Sequence, residues 1–205
     1  RENLLSSFNN EIKAFESVDA GESSSNFNII STDGIHAIKT GTGDDAVLVS
    51  NYSVDLDGGE GSDTLIFESS GFNEVQIINL GDGIYQSQSG REAGTLVNFE
   101  NVEIVGNNET TLIGDQNENR LSGGNGIDRI IGNGGSDVLN GGGGRDYFVF
   151  KSGLGSSSAD RILDFNAGNG GDVLQLDYDG ALTSTGFSFR SIDLSSGGKK
   201  TLGNN

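Results

Sequence analysis

The feature that most limits the folds open to this chain is a nine-residue beat. Residues 114–149 divide into GDQNENRLS, GGNGIDRII, GNGGSDVLN and GGGGRDYFV. Position six of these units reads Asn119, Asp128, Asp137 and Asp146; position eight reads Leu121, Ile130, Leu139 and Phe148, with Leu112 in step ahead of them. A Gly-rich hexapeptide supplies the positive φ values and close backbone approach that a tight turn needs. The three residues after it make a short strand. Successive strand side chains face opposite ways, so only position eight points inward. Two units complete one coil of eighteen residues, and loops n and n+2 then stack near the ~4.8 Å strand spacing. The expected fold is all-β: a parallel β-roll, or right-handed β-helix-like solenoid.

The same beat occurs upstream. TGTGDDAVL and GGEGSDTLI place Asp45 and Asp63 eighteen residues apart, and Ile29, Ile38, Val47, Leu56 and Leu65 keep the apolar position. Only one of the two loop columns in this block is then suited to bind a cation. Five segments follow. Residues 1–26 are a lead-in, with Leu4, Leu5, Phe8, Ile12 and Phe15 at helical spacing, which predicts a short N-terminal amphipathic helix over 2–17. Residues 27–68 are a first β-roll block. Residues 69–104 are a non-repeat β insertion, read as additional strands or irregular coil from the alternation in EVQIINL and TLVNFENVEIV. Residues 105–150 are the second block, and 151–205 a C-terminal capping region.

Stacking sets Asp45 over Asp63, Asp128 over Asp146, and Asn119 over Asp137. Carboxylates this close repel in a dehydrated site unless neutralised. The turns also expose backbone carbonyls that the narrow strands leave unpaired. A Ca²⁺ ion answers both problems, since it takes six to eight oxygen ligands in irregular geometry, whereas Mg²⁺ demands a stricter octahedron. Composition agrees. The 205 residues include 34 Gly and no Pro or Cys, with 30 acidic and 12 basic residues and a net charge of −18. No thiolate site is possible, a single His makes no zinc cage, and a nucleic-acid or anionic-membrane footprint has the opposite sign. No apolar run approaches a membrane span. Each site combines position-six side chains of two loops with loop carbonyls. The candidates are Thr40, Thr42, Asp45, Gly58, Glu60 and Asp63 in the first block. In the second they are Asp115, Asn119, Gly123, Asn125, Asp128, Gly132, Gly134, Asp137, Gly141, Gly143 and Asp146. DLDGGEGSD (55–63) fails as an EF-hand, because Gly59 and Ile66 stand where acidic ligands belong. His36 falls at a loop position with no catalytic neighbour pattern.

These units resemble the nonapeptide G-G-x-G-x-D-x-U-x (U apolar) of the RTX, or repeats-in-toxin, family. SSSADRILDFNAGNGGDVLQL resembles the region that closes RTX arrays, and by that analogy Asp160, Asp164 and Asp172 serve the last open loops. The resemblance implies a β-roll binding several Ca²⁺ ions. It also implies a secreted or cell-surface location and export by type I secretion machinery as the C-terminal part of a larger protein. The ending KKTLGNN lacks the acidic-plus-apolar terminus of many relatives, so the export signal is divergent or trimmed. The expected function is a non-enzymatic module that folds on meeting extracellular Ca²⁺. The alternatives are a Ca²⁺-dependent adhesin or polysaccharide-binding module, and the non-catalytic C-terminal domain of a protease, lipase or epimerase.

Overall fold

The computed structural model describes residues 17–177, apart from 22, 32–33, 50–53, 70–75, 91–92 and 152–158. The helix expected over 2–17 lies outside the described residues except for Ser17, which opens a strand. The first block consists of β1 (Ser17–Asp19), β2 (Asn28–Ile30), β3 (Ala37–Lys39), β4 (Ala46–Val49), β5 (Asp55–Asp57) and β6 (Thr64–Glu68). The middle holds β7 (Gln76–Asn79), β8 (Ile84–Ser87), β9 (Ala93–Val97) and β10 (Asn101–Val105). Then come β11 (Thr110–Ile113), β12 (Arg120–Ser122), β13 (Arg129–Ile131), β14 (Val138–Asn140), β15 (Tyr147–Lys151), β16 (Arg161–Ile162) and β17 (Val173–Asp177).

Alternate strands go to alternate sheets. One sheet runs β2, β4, β6, β10, β12, β14, β16; the other runs β1, β3, β5, β9, β8, β7, β11, β13, β15, β17. All pairings are parallel except those of β8 with β7 and β9. The eighteen-residue register follows the apolar position, with Ile29 beside Val47 beside Leu65 and Leu112 beside Ile130 beside Phe148. These residues and their counterparts Leu56, Leu121 and Leu139 meet in a single buried core. Each such side chain contributes about 1.5–3 kcal/mol by leaving water. This is the expected parallel β-roll.

The insertion does not interrupt the roll. β10 lies between β6 and β12 in the seven-stranded sheet. In the other sheet the meander β7–β8–β9 bridges β5 to β11. Three strands thus stand where a regular coil has one, adding about 10 Å of sheet on one face. Tyr85 fills the interior at this point. It is fully buried, its hydroxyl donates to the Val54 carbonyl at 2.6 Å, and Phe67 meets its ring edge-on with centroids 6.1 Å apart. Gly94, opposite Tyr85 in the ladder, leaves room for that ring: a Cβ there would lie 2.5 Å from Tyr85 Cε1.

Candidate metal centre

In the repeat coils the position-eight apolar residue is preceded, two positions earlier, by a residue at the mouth of a turn. Beside the seven-stranded sheet this rule produces a long column: Asp45, Asp63, Glu100, Asn119, Asp137 and Asp160. Each carboxylate reaches back to the backbone of the coil before it. Asp45 Oδ1 accepts Phe27 N–H at 2.6 Å, Asp63 Oδ1 accepts Asp45 N–H at 2.7 Å, and Glu100 Oε2 accepts Asp63 N–H at 2.8 Å. Farther on, Asp137 Oδ1 accepts Asn119 N–H at 2.8 Å and Asp160 Oδ1 accepts Asp137 N–H at 3.1 Å. The opposite edge carries a short column. There Asp128 Oδ1 accepts Thr110 N–H, Asp146 Oδ1 accepts Asp128 N–H, and Asp172 Oδ1 accepts Asp146 N–H, at 2.8, 2.9 and 3.0 Å. Strand pairing therefore brings together the three pairs expected from the spacing. In the first block the short column's edge presents the exposed His36 and the buried Val54 instead.

The columns are electrostatically incomplete as protein alone. Asp45, Asp63, Asp128, Asp137 and Asp146 are all at most 2% exposed. Burial is the main cause that pushes Asp63 up to about 6 and Asp128 to about 7; the Asp45 and Glu100 charges add to it for Asp63, as does Asp146 for Asp128. Asp137 rises to about 7 and Asp146 to about 6, again chiefly through burial, with Asp160 and Asp172 as the repelling neighbours. Burial also raises Asp160. Two buried carboxylate oxygens, Asp63 Oδ2 and Asp137 Oδ2, have no hydrogen-bond partner. An orphaned, desolvated carboxylate oxygen beside another carboxylate is a cost that a bound cation removes.

The turn glycines belong to the same construction. Asp137 Oδ2 occupies the space where Gly132 would carry a Cβ, and Asp146 Oδ2 does the same at Gly141. At these two turns glycine at position one leaves the space into which the position-six carboxylate folds back. Position-two carbonyls are used by the next coil: Gly41 accepts from Glu60 N–H and Gly124 from Gly143 N–H. The position-three carbonyls of Thr42, Glu60, Asn125, Gly134 and Gly143 receive no hydrogen bond among the described residues. Hard oxygen donors thus remain at the turns in the chemistry that Ca²⁺ favours. Among the described residues no three His, Cys, Asp or Glu side chains cluster as a metal cage, so any site depends on these carbonyls.

The remaining candidates are placed as follows. Thr40 Oγ1 donates to the Gly58 carbonyl, while Gly123 N–H donates to the Asn140 carbonyl. Asp115 turns its carboxylate to Asn117, at 2.8 Å to the backbone N–H and 2.7 Å to Nδ2. Asn119 spends both ends of its amide, accepting from Asp115 N–H and donating to the Glu100 carbonyl. Asp164 caps the final turn, accepting from Gly141 and Gly142 N–H at 2.9 and 2.6 Å. Sequence reasoning missed Glu100. The available signal was Val102, two residues later, in the buried apolar position.

Residues 113–148 match the RTX calcium-binding nonapeptide repeat, in four copies. No curated protein matches the chain. RTX nonapeptide repeats bind Ca²⁺, are not catalytic in themselves and are typical of secreted proteins. The matched stretch contains Asn119, Asp128, Asp137 and Asp146; Asp45, Asp63 and Glu100 lie outside it.

Proposed function

We propose that this chain is a Ca²⁺-dependent folding module of a secreted protein, one that stays open at low Ca²⁺ and closes into its roll outside the cell. The carrying observation is the pair of columns: buried, stacked carboxylates beside unbonded turn carbonyls, with orphaned oxygens at Asp63 and Asp137 in the long column. Asp45, Asp63, Asp128, Asp137, Asp146 and the closing Asp160 and Asp172 hold the ions by their carboxylates, and the turn backbone at positions one and three completes each shell. The bound ions cancel the mutual repulsion of the columns.

The energetics support coupling of binding to folding. Nine residues lose on the order of 10 kcal/mol of conformational entropy when ordered, against one buried apolar side chain worth about 1.5–3 kcal/mol. The ladder hydrogen bonds recover part of the difference, but the net charge of −18 opposes compaction. Each ion at a hundredfold excess over Kd adds about 2.7 kcal/mol. A low-Ca²⁺ cytosol then keeps the chain extended, as passage through a type I exporter requires, and the outside medium folds it in support of a larger parent protein. Far-UV circular dichroism tests this reading. Strand signal is expected in millimolar Ca²⁺ and loss of it in chelator, with no rescue by equal Mg²⁺. A spectrum unchanged by excess chelator would sink the proposal.

A further inference from the structure

The long column crosses the 69–104 insertion without a gap, and the crossing point is built like the repeat turns on either side of it. We propose that Asp63, Glu100 and the Asn98 carbonyl form a further divalent-cation site, which ties the first repeat block to the second. This inference rests on the reading that the position-six columns bind Ca²⁺.

At a regular turn two oxygens converge on the position-one glycine. At Gly123 these are Asp128 Oδ2 and the Gly141 carbonyl; at Gly114 they are Asn119 Oδ1 and the Gly132 carbonyl. In each case the second oxygen comes from position one of the coil ahead. At Gly58 the same convergence occurs between Asp63 Oδ2 and the Asn98 carbonyl. Asn98 therefore stands in for a position-one residue, although no repeat motif surrounds it. Its φ of 57° is in the left-handed region, and its Nδ2 anchors the turn to Asp57 Oδ1 at 2.8 Å.

Glu100 supplies the other half. It sits where position six belongs, and its Oε2 takes the Asp63 N–H just as Asp63 takes that of Asp45. In a regular unit positions one and six are five residues apart, whereas Asn98 and Glu100 are two apart. The turn is shortened, and Glu100 still places a carboxylate oxygen on the Asp63 N–H, as position six does in a regular unit. The independent sign of a missing ligand is Asp63 itself: it is fully buried, and its Oδ2, aimed into this space, has no partner. No Lys or Arg forms an ion pair with Asp63 or Glu100 among the described residues, where Lys39 pairs with Asp57 instead. Two carboxylates and turn carbonyls form a hard-oxygen set suited to Ca²⁺.

The test counts ions. Calorimetric titration and equilibrium dialysis of Ca²⁺ with the full chain compare wild type, Glu100→Gln and Glu100→Asp. The Gln variant keeps an oxygen to accept the Asp63 N–H and loses only the charge. It is expected to bind one Ca²⁺ fewer per chain, and Glu100→Asp to keep the wild-type count. A Gln variant that fails to fold in saturating Ca²⁺ while the Asp variant folds with the full count supports the site equally. An unchanged count and affinity in Glu100→Gln overturns the proposal, as does an equal loss in both variants, which marks a packing role. If wild type binds no Ca²⁺ at all, the reading under Proposed function fails along with this one.

Discussion

Replacing Asp137 with Asn should destabilise the protein in Ca²⁺ and stabilise it in chelator. Asp137 is 1% exposed, its Oδ1 holds the Asn119 N–H at 2.8 Å, and its Oδ2 has no partner. An amide preserves the Oδ1 contact and presents an N–H₂ group toward the neighbouring Asp160, a repelling carboxylate in the native side chain's surroundings. In the metal-free fold the change removes an unsatisfied buried polar oxygen, a defect worth about 1–3 kcal/mol. In Ca²⁺ it removes a charged ligand. Each site lost takes away about 2.7 kcal/mol at a hundredfold excess over Kd, which lowers Tm by roughly 5–11 °C for a domain of this size. Thermal unfolding in saturating Ca²⁺, followed by circular dichroism, reads the first effect. Refolding in EDTA driven by trimethylamine oxide, which favours burial without binding the site, reads the second: the variant should need less osmolyte than wild type. Destabilisation under both conditions would refute the reasoning and mark Asp137 as a packing residue. So would an unchanged Tm in Ca²⁺.

Three further outcomes follow from the same structure. Asp63, Asp128, Asp137 and Asp146 have metal-free folded pKa values raised to about 6–7, so their contribution is present below the unfolded carboxylate pKa of ~3.9 and is lost as pH rises through 6–7. Osmolyte-supported refolding in EDTA should therefore become easier between pH 8 and pH 5, while Ca²⁺ affinity measured by calorimetry falls over the same interval, because protons and Ca²⁺ compete for these carboxylates. Leu121→Ala empties a fully buried position in the second block and should cost about 2–5 kcal/mol, read as a lower urea midpoint in Ca²⁺. Gly94→Ala pushes a methyl to 2.5 Å from both Tyr85 Cε1 and the Val54 carbonyl oxygen and should cost about 1–3 kcal/mol, read by the same midpoint with the Ca²⁺ count preserved.

The architecture was legible because one residue in nine carries it. Ile38 and Leu56 kept the inward position where their turns had lost the Gly-Asp motif, and their strands pair in the expected register. The same logic extends to Ile162 and Leu174, each two residues after an aspartate that closes a column. Hydrophobic spacing reveals strands and registers, but it does not reveal how many strands fit between two coils. The meander β7–β9 was therefore readable only as alternation, and its accommodation depends on the tertiary fit of Tyr85 against Gly94. Glu100 escaped for a related reason. The nine-residue count breaks in a turn three residues short, and LVNFENVE lacks the turn glycines of the motif, so Val102 two residues on is the one sign that Glu100 stands at position six. At the N-terminus, the helix period ran over Ser17, where pairing of Val18 with Ile38 makes a strand.

The central claim is that Ca²⁺ binding and folding of this chain are one event. A single sample titrated with Ca²⁺ from a chelated start, with heat and far-UV ellipticity recorded in parallel, tests it most directly. The account predicts a disordered spectrum at the start, several ions bound per chain, and coincident midpoints for binding heat and strand signal. Strand signal already complete before the first addition of Ca²⁺, or binding that saturates with no change in ellipticity, would contradict it.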